Sequence, residues 1–178
     1  MITDPIEATS RGADRFVFVT CQAGAEAALK RELARTAPGL RLAYSRPGLV
    51  TFKSERPVDA DLALSSVFAR CWGASLGRAA AATEVIALAR DLPQPLRLHV
   101  WERAAWRPDE APPSAAPGAA AARAAAAIRD LSVMPDGGVA FIAADDHAPA
   151  QHGELVLDVV VPPDAAAPPG EAWLVGQH

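Results

Sequence analysis

Lysine is nearly missing. Lys30 and Lys53 are the only two among 17 basic residues in this 178-residue sequence. With abundant Ala, Pro and Arg, that bias points to GC-rich coding, so an alanine-rich stretch is weak evidence for selected structure. Cysteine is as scarce. Cys21 and Cys71 stand far apart, which fits neither a disulfide framework nor the paired spacing of a zinc site, and both read as buried, reduced thiols. No apolar run approaches the roughly 20 residues of a membrane span. The opening "MITDPIEATSRGADR" has acids and no apolar stretch, so we expect no signal peptide, no membrane partner and a cytoplasmic location.

Catalytic signatures are missing too. No glycine-rich turn follows a strand to receive a cofactor, since Gly137-Gly138 precedes its candidate strand "GGVAFIAADD". No serine has a nucleophile-elbow context, and Cys21 lies in an apolar strand where its pKa should rise. "DDHAPAQH" has no metal-ligand spacing and reads as a solvated loop, so we expect neither catalytic nor metal-binding residues.

With 51% hydrophobic residues the chain should fold. Its net charge of −4 is unevenly divided: residues 1–107 hold 15 basic and 11 acidic side chains, residues 108–178 hold 2 and 10. One anion-facing surface beside an acidic flank would produce that split.

The expected architecture is α+β. After a flexible segment over 1–14, "FVFVTC" is apolar on both alternating sets, as a central strand should be. "GAEAALKRELARTAPG" places Ala25, Leu29 and Leu33 on one helical stripe. "LRLAYS", with Leu40, Leu42 and Tyr44 inward, and "LVTF" form a hairpin through Pro47-Gly48. A second helix is expected in "DADLALSSVFAR", capped by Asp59 and burying Leu64, Val67 and Phe68. "CWGASLGRA" completes a ferredoxin-like βαββαβ domain over 15–79.

The second unit, 80–178, opens with a short helix capped by Thr83 and continues into the strand "LRLHVWER". A Pro-rich loop and the alanine-rich "AAAARAAAAIRDL" then read as an inserted segment centred on 108–127, helical by alanine propensity. A hairpin from "LVLDVVV" to "EAWLVGQH" closes the unit. As a terminal element, that hairpin is expected to be the least protected part of the sheet.

"LRLHVWER" is the most suggestive stretch. Leu96, Leu98 and Val100 alternate with Arg97, His99, Trp101 and Arg103, and Trp106 and Arg107 follow. Guanidinium groups, a flat ring and an imidazole on one face of a sheet suit RNA, with Arg46 and Lys53 adding charge. The plain alternative is a strand whose Trp101 packs under another element while its arginines reach outward.

The stretches "FVFVTCQAGAEAALKREL", "YSRPGLVTFK" and "LDVVV…EAWLVGQH" resemble the N-terminal region of the RlmM-type ribosomal RNA methyltransferases. The resemblance spans nearly the whole chain and is strongest over 16–53 and 154–178. It implies a ferredoxin-like domain followed by a THUMP-like α/β RNA-binding domain carrying an Ala/Pro-rich insertion, and large-subunit ribosomal RNA as partner. It also implies S-adenosylmethionine-dependent 2′-O-methylation by a Rossmann-like domain, in cis or in trans, whose cofactor glycines and catalytic residues have no counterparts here. No cofactor and no catalysis are therefore expected of this chain alone. The sequence departs from that pattern in the 108–127 insertion, in "PPDAAAPPG", and at Gln177, where an aromatic residue is expected. Two other readings are a non-enzymatic protein-interaction domain and a ferredoxin-like small-molecule sensor.

Overall fold

The strand Phe16–Cys21 (β1) lies inside a seven-stranded sheet, with Val17, Phe18 and Val19 fully buried. The structure is a computed structural model and describes residues 15–58, 62–103, 118–134, 138–142, 150–163 and 171–178. The remaining strands are Leu40–Arg46 (β2), Leu49–Ser54 (β3), Ala69–Ala79 (β4), Arg97–Glu102 (β5), Val156–Val161 (β6) and Trp173–Gln177 (β7). Across the sheet they run β2-β3-β1-β4-β7-β6-β5. Every neighbouring pair is antiparallel except β5 and β6. Parallel neighbours need a crossover, and the helix Ala119–Ser132 (α3) lies on that connection.

Among the described residues, three helices cover one face of the sheet. Glu26–Thr36 (α1) buries Leu29 and Leu33 against Val17, Val19, Val50, Phe52 and Ala74. Ala82–Ala89 (α2) and α3 pack on each other and on Leu98, Leu157, Val159 and Val175. Both clusters share a side because Ala74 pairs with Gln177, which points the same way as Val175. Through β4, which pairs with β1 on one side and with β7 from Ala74 to Ala79 on the other, the sheet continues from the first strands into the later ones.

The turn between β2 and β3 has the expected chemistry. Gly48 adopts φ 75°, which a side chain would resist, and its N–H donates to Glu26 Oε1 at 2.7 Å, tying the turn to the start of α1. Tyr44, however, does not follow Leu40 and Leu42. A bulge between Leu42 and Tyr44 turns the phenol to the face opposite the helices and leaves Leu42 exposed.

The helix expected over 59–70 is not formed in its described part. Residues 62–68 run without helical hydrogen bonding, and Asp59 lies outside the described residues. Glu32 of α1 is the cause: it accepts from the Val67 N–H at 2.9 Å and from the Ser66 hydroxyl. Ser66 Oγ in turn accepts the Phe68 and Ala69 N–H groups, and Trp72 Nε1 donates to the Leu62 carbonyl at 2.7 Å. Side chains thus satisfy a backbone that a helix would otherwise serve. Val67 and Phe68, expected inside, are exposed.

Ala81, not Thr83, occupies the N-cap of α2, where the Glu84 carboxylate accepts the Ala80 N–H at 2.8 Å. The alanine-rich segment is helical, as expected, and packs against the core: Ala121, Ala124 and Ile128 are buried, and Glu102 on β5 caps the helix through the Gly118 and Ala120 N–H groups, while 108–117 lie outside the described residues. In place of a strand at "GGVAFIAADD", residues 138–142 form one parallel bridge, Leu96 to Phe141, while 143–149 lie outside the described residues. Finally, β7 is an interior strand, held by β4 on one side and β6 on the other.

No helix among the described residues is long and apolar enough to cross a membrane.

Candidate nucleic-acid interface

Alternation along the strands decides which side chains leave the helical core. Opposite the helices stand Phe16 and Phe18 of β1, Tyr44 and Arg46 of β2, Leu49 and Lys53 of β3, and Cys71 and Ser75 of β4. A bulge between Ser75 and Gly77 then sends Arg78 to the same side, opposite Leu174 of β7. The Phe18 ring lies directly on Gly73 and Gly176, where any side chain would collide with it.

At one end of the face is a cleft of about 800 Å³, lined by Phe16, Tyr44, Arg46, Arg78, Arg103 and Glu171 over a floor that includes Leu49, Val160 and Leu174. The guanidinium carbons of Arg46 and Arg78 stand 4.5 and 5.7 Å from the centre of the Tyr44 ring. Both arginines are exposed at the cleft. Arg103 is buried and donates to Glu171 Oε2 at 2.8 Å, while the Tyr44 hydroxyl donates to Oε1 at 3.1 Å. Burial, and then this bond to a carboxylate, push the Tyr44 pKa above its ordinary value, so the phenol stays neutral. Among the described lining residues, the exposed Arg46 and Arg78 add positive charge beside the Arg103–Glu171 pair, and Tyr44 supplies an aromatic wall.

Arg46 and Lys53, expected as charge donors, are both exposed on this face. The β5 residues behave differently, although they do share a side as their alternation implies. Arg97 is 5% exposed and its Nε and NH2 groups donate to Glu154 at 2.6 and 3.0 Å. That bidentate pair holds the Glu154 carboxyl down at about 2 and offers no charge to a phosphate. Trp101 packs beside Phe18, Leu49 and Val160, its indole N–H donating to Asp158 Oδ1 at 2.7 Å. His99 Nδ1 lies 4.0 Å from the same oxygen. Arg107 lies outside the described residues.

Asp158 is the most buried carboxylate described, at 1% exposure. Its Oδ2 meets His178 Nδ1 at 2.5 Å, and Cys71 Sγ lies 3.8 Å from that nitrogen. Bonding to Asp158 raises the His178 pKa, while burial and then the Asp158 charge push the Cys71 thiol up to about 12. Cys21, buried in the α1 core, is raised to about 11, chiefly by desolvation.

Tyr44, Arg78, Glu171 and the Cys71, Asp158 and His178 group were missed in the sequence reading. The one available signal was alternation along β4 and β7, which a bulge interrupts.

No protein-family model and no curated protein matches this sequence. Among solved structures, the chain is similar to a possible methylase from Clostridium difficile 630, at 14% identity and TM-score 0.45, over 92% of this chain and 40% of that one. It is also similar to a 4-thiouridine synthetase in complex with RNA and ATP, at 14% identity and TM-score 0.42, over 92% and 41%. A third is TrmN from Thermus thermophilus, at 17% identity and TM-score 0.41, over 91% and 45%. The chain therefore spans less than half the length of each.

Proposed function

We propose that this chain is an RNA-holding module whose binding surface is the sheet face opposite the helices, centred on the Tyr44 cleft. One observation carries the reading: the exposed guanidinium groups of Arg46 and Arg78 stand over the Tyr44 ring that walls the cleft. Guanidinium groups engage phosphates, an aromatic face accepts an unstacked base, and the combination suits single-stranded or looped RNA better than a duplex. Lys53, farther along the same face, extends the path for the backbone.

The likeness of "FVFVTCQAGAEAALKREL", "YSRPGLVTFK" and "EAWLVGQH" to the RlmM-type enzymes supports a finer assignment. In it the RNA is large-subunit ribosomal RNA, and the module positions it for 2′-O-methylation by a methyltransferase domain. In this assignment S-adenosylmethionine binding belongs to that domain, since among the described residues no glycine-rich turn links a strand to a helix. The antiparallel order β2-β3-β1-β4, with α1 between β1 and β2, supports a ferredoxin-like first unit in which residues 62–68 replace the second helix.

Ultraviolet cross-linking of the chain to a looped RNA, followed by mass spectrometry, tests the surface. Cross-links at Tyr44 or Phe16 are expected. Cross-links confined to the helical side, or none under saturating RNA, would overturn the reading.

A further inference from the structure

We propose that Cys71, Asp158 and His178 form a site for one divalent transition-metal ion, zinc by preference, that ties β4, β6 and the end of β7 together. The sequence alone argued against this site, because its ligands come from three strands that are distant in the chain.

Convergence of the donor atoms is the first support. Cys71 Sγ, an Asp158 oxygen and a His178 ring nitrogen all lie within 4.8 Å of one another. A tetrahedral zinc ion with bonds of about 2.0–2.3 Å sets its donors about 3.3–3.8 Å apart. The thiol and imidazole already stand at 3.8 Å. The carboxylate and imidazole, now sharing a proton at 2.5 Å, separate once the ion replaces it. The required adjustments are side-chain motions of about an ångström, as in opening the 2.5 Å carboxylate–imidazole contact to about 3.3 Å.

The second support is which nitrogen is used. In a cysteine–histidine–aspartate relay the nucleophile and the carboxylate address opposite ring nitrogens. Here Cys71 and Asp158 both face Nδ1, so the three groups point at a common centre instead of forming a chain. The mixed thiolate, imidazole and carboxylate set suits zinc or cobalt better than calcium or magnesium.

Surrounding groups fit the role. Trp101 Nε1 donates to Oδ1 and so fixes the carboxylate's rotation, leaving Oδ2 toward His178. A water can complete the fourth position. An ion enters past His178, whose side chain is 33% exposed, whereas Asp158 is at 1%. Binding displaces the thiol proton of Cys71 and the proton shared by His178 and Asp158.

Titration of the metal-free chain with Co²⁺ reads the site directly. One equivalent should produce thiolate-to-cobalt charge-transfer absorption with the strong visible bands of a tetrahedral ion, and Zn²⁺ should bleach both. Cys71→Ser should remove the charge-transfer absorption, and His178→Ala should weaken Zn²⁺ binding at least tenfold. Trp101→Phe should keep the absorption while lowering affinity about 10–100-fold. His152→Ala, at an exposed position, should change nothing. Absence of saturable charge-transfer absorption in the native chain, or its persistence in Cys71→Ser at native affinity, would overturn the proposal.

Discussion

The Tyr44 hydroxyl donates to Glu171 at 3.1 Å, joining side chains 127 positions apart in the sequence and fixing one wall of the cleft. Glu171 also takes Arg103 at 2.8 Å, so one carboxylate orients both a ring and a guanidinium. A base stacked on that ring should register its loss. Tyr44→Ala should weaken RNA binding by about 1–3 kcal/mol, and Tyr44→Phe by much less, because the π-face remains. Fluorescence anisotropy with a labelled RNA loop measures both variants.

The alanine-rich helix should behave as core. Ile128 is fully buried among residues of α2, β5 and β6. Ile128→Ala should cost about 2–5 kcal/mol of unfolding free energy, read from urea denaturation at unchanged m-value. A cost under about 0.5 kcal/mol, typical of surface substitutions, would contradict the placing of this helix in the core.

Acid should loosen the β5 edge. Glu154 is held at about 2 by Arg97, below the usual 4.5. A carboxyl depressed in the folded state stabilises the fold above its unfolded pKa, and that contribution is lost as the pH falls through the folded value. The Arg97–Glu154 contribution is therefore complete near neutrality and fades between roughly pH 4.5 and pH 2. Glu154→Gln should flatten this part of the acid-stability profile, measured by thermal unfolding across the range.

Amide exchange should place β7 among the protected strands. Val175 is fully buried, and its strand has hydrogen-bonded neighbours on both sides. Its amides should exchange more slowly than those of β2, which ends the sheet. Exchange of β7 faster than β2 would contradict the observed strand order.

What the sequence disclosed was local. Phe16 to Val19 announced a strand covered on both sides, Leu29 and Leu33 a helix stripe, and Pro47-Gly48 a turn. Each signal sits within a few residues of the element it specifies. Partners distant in the chain account for the misreadings. The spacing of Leu64, Val67 and Phe68 mimics a helix, but Glu32 on α1 accepts the Val67 N–H and the Ser66 hydroxyl, and residues 62–68 form no helix. Arg97 looked available until Glu154, 57 positions later, paired with it. Ala121 and Ala124 bury themselves without a hydrophobic signature that distinguishes them from their alanine neighbours. The cleft was half visible: Arg46 stood out as charge, whereas Tyr44 and Arg78 reach it only through bulges that invert the alternation.

The salt dependence of RNA affinity, compared between the native chain and the Arg46→Glu/Arg78→Glu double variant, tests the central claim most directly. Phosphate contacts release counterions, so affinity should fall linearly on logarithmic axes as salt rises. Each lost arginine contact should reduce that slope by about 1, so the double variant should bind more weakly with a slope lower by about 2. An unchanged slope and affinity in the double variant would contradict the assignment of this face to RNA.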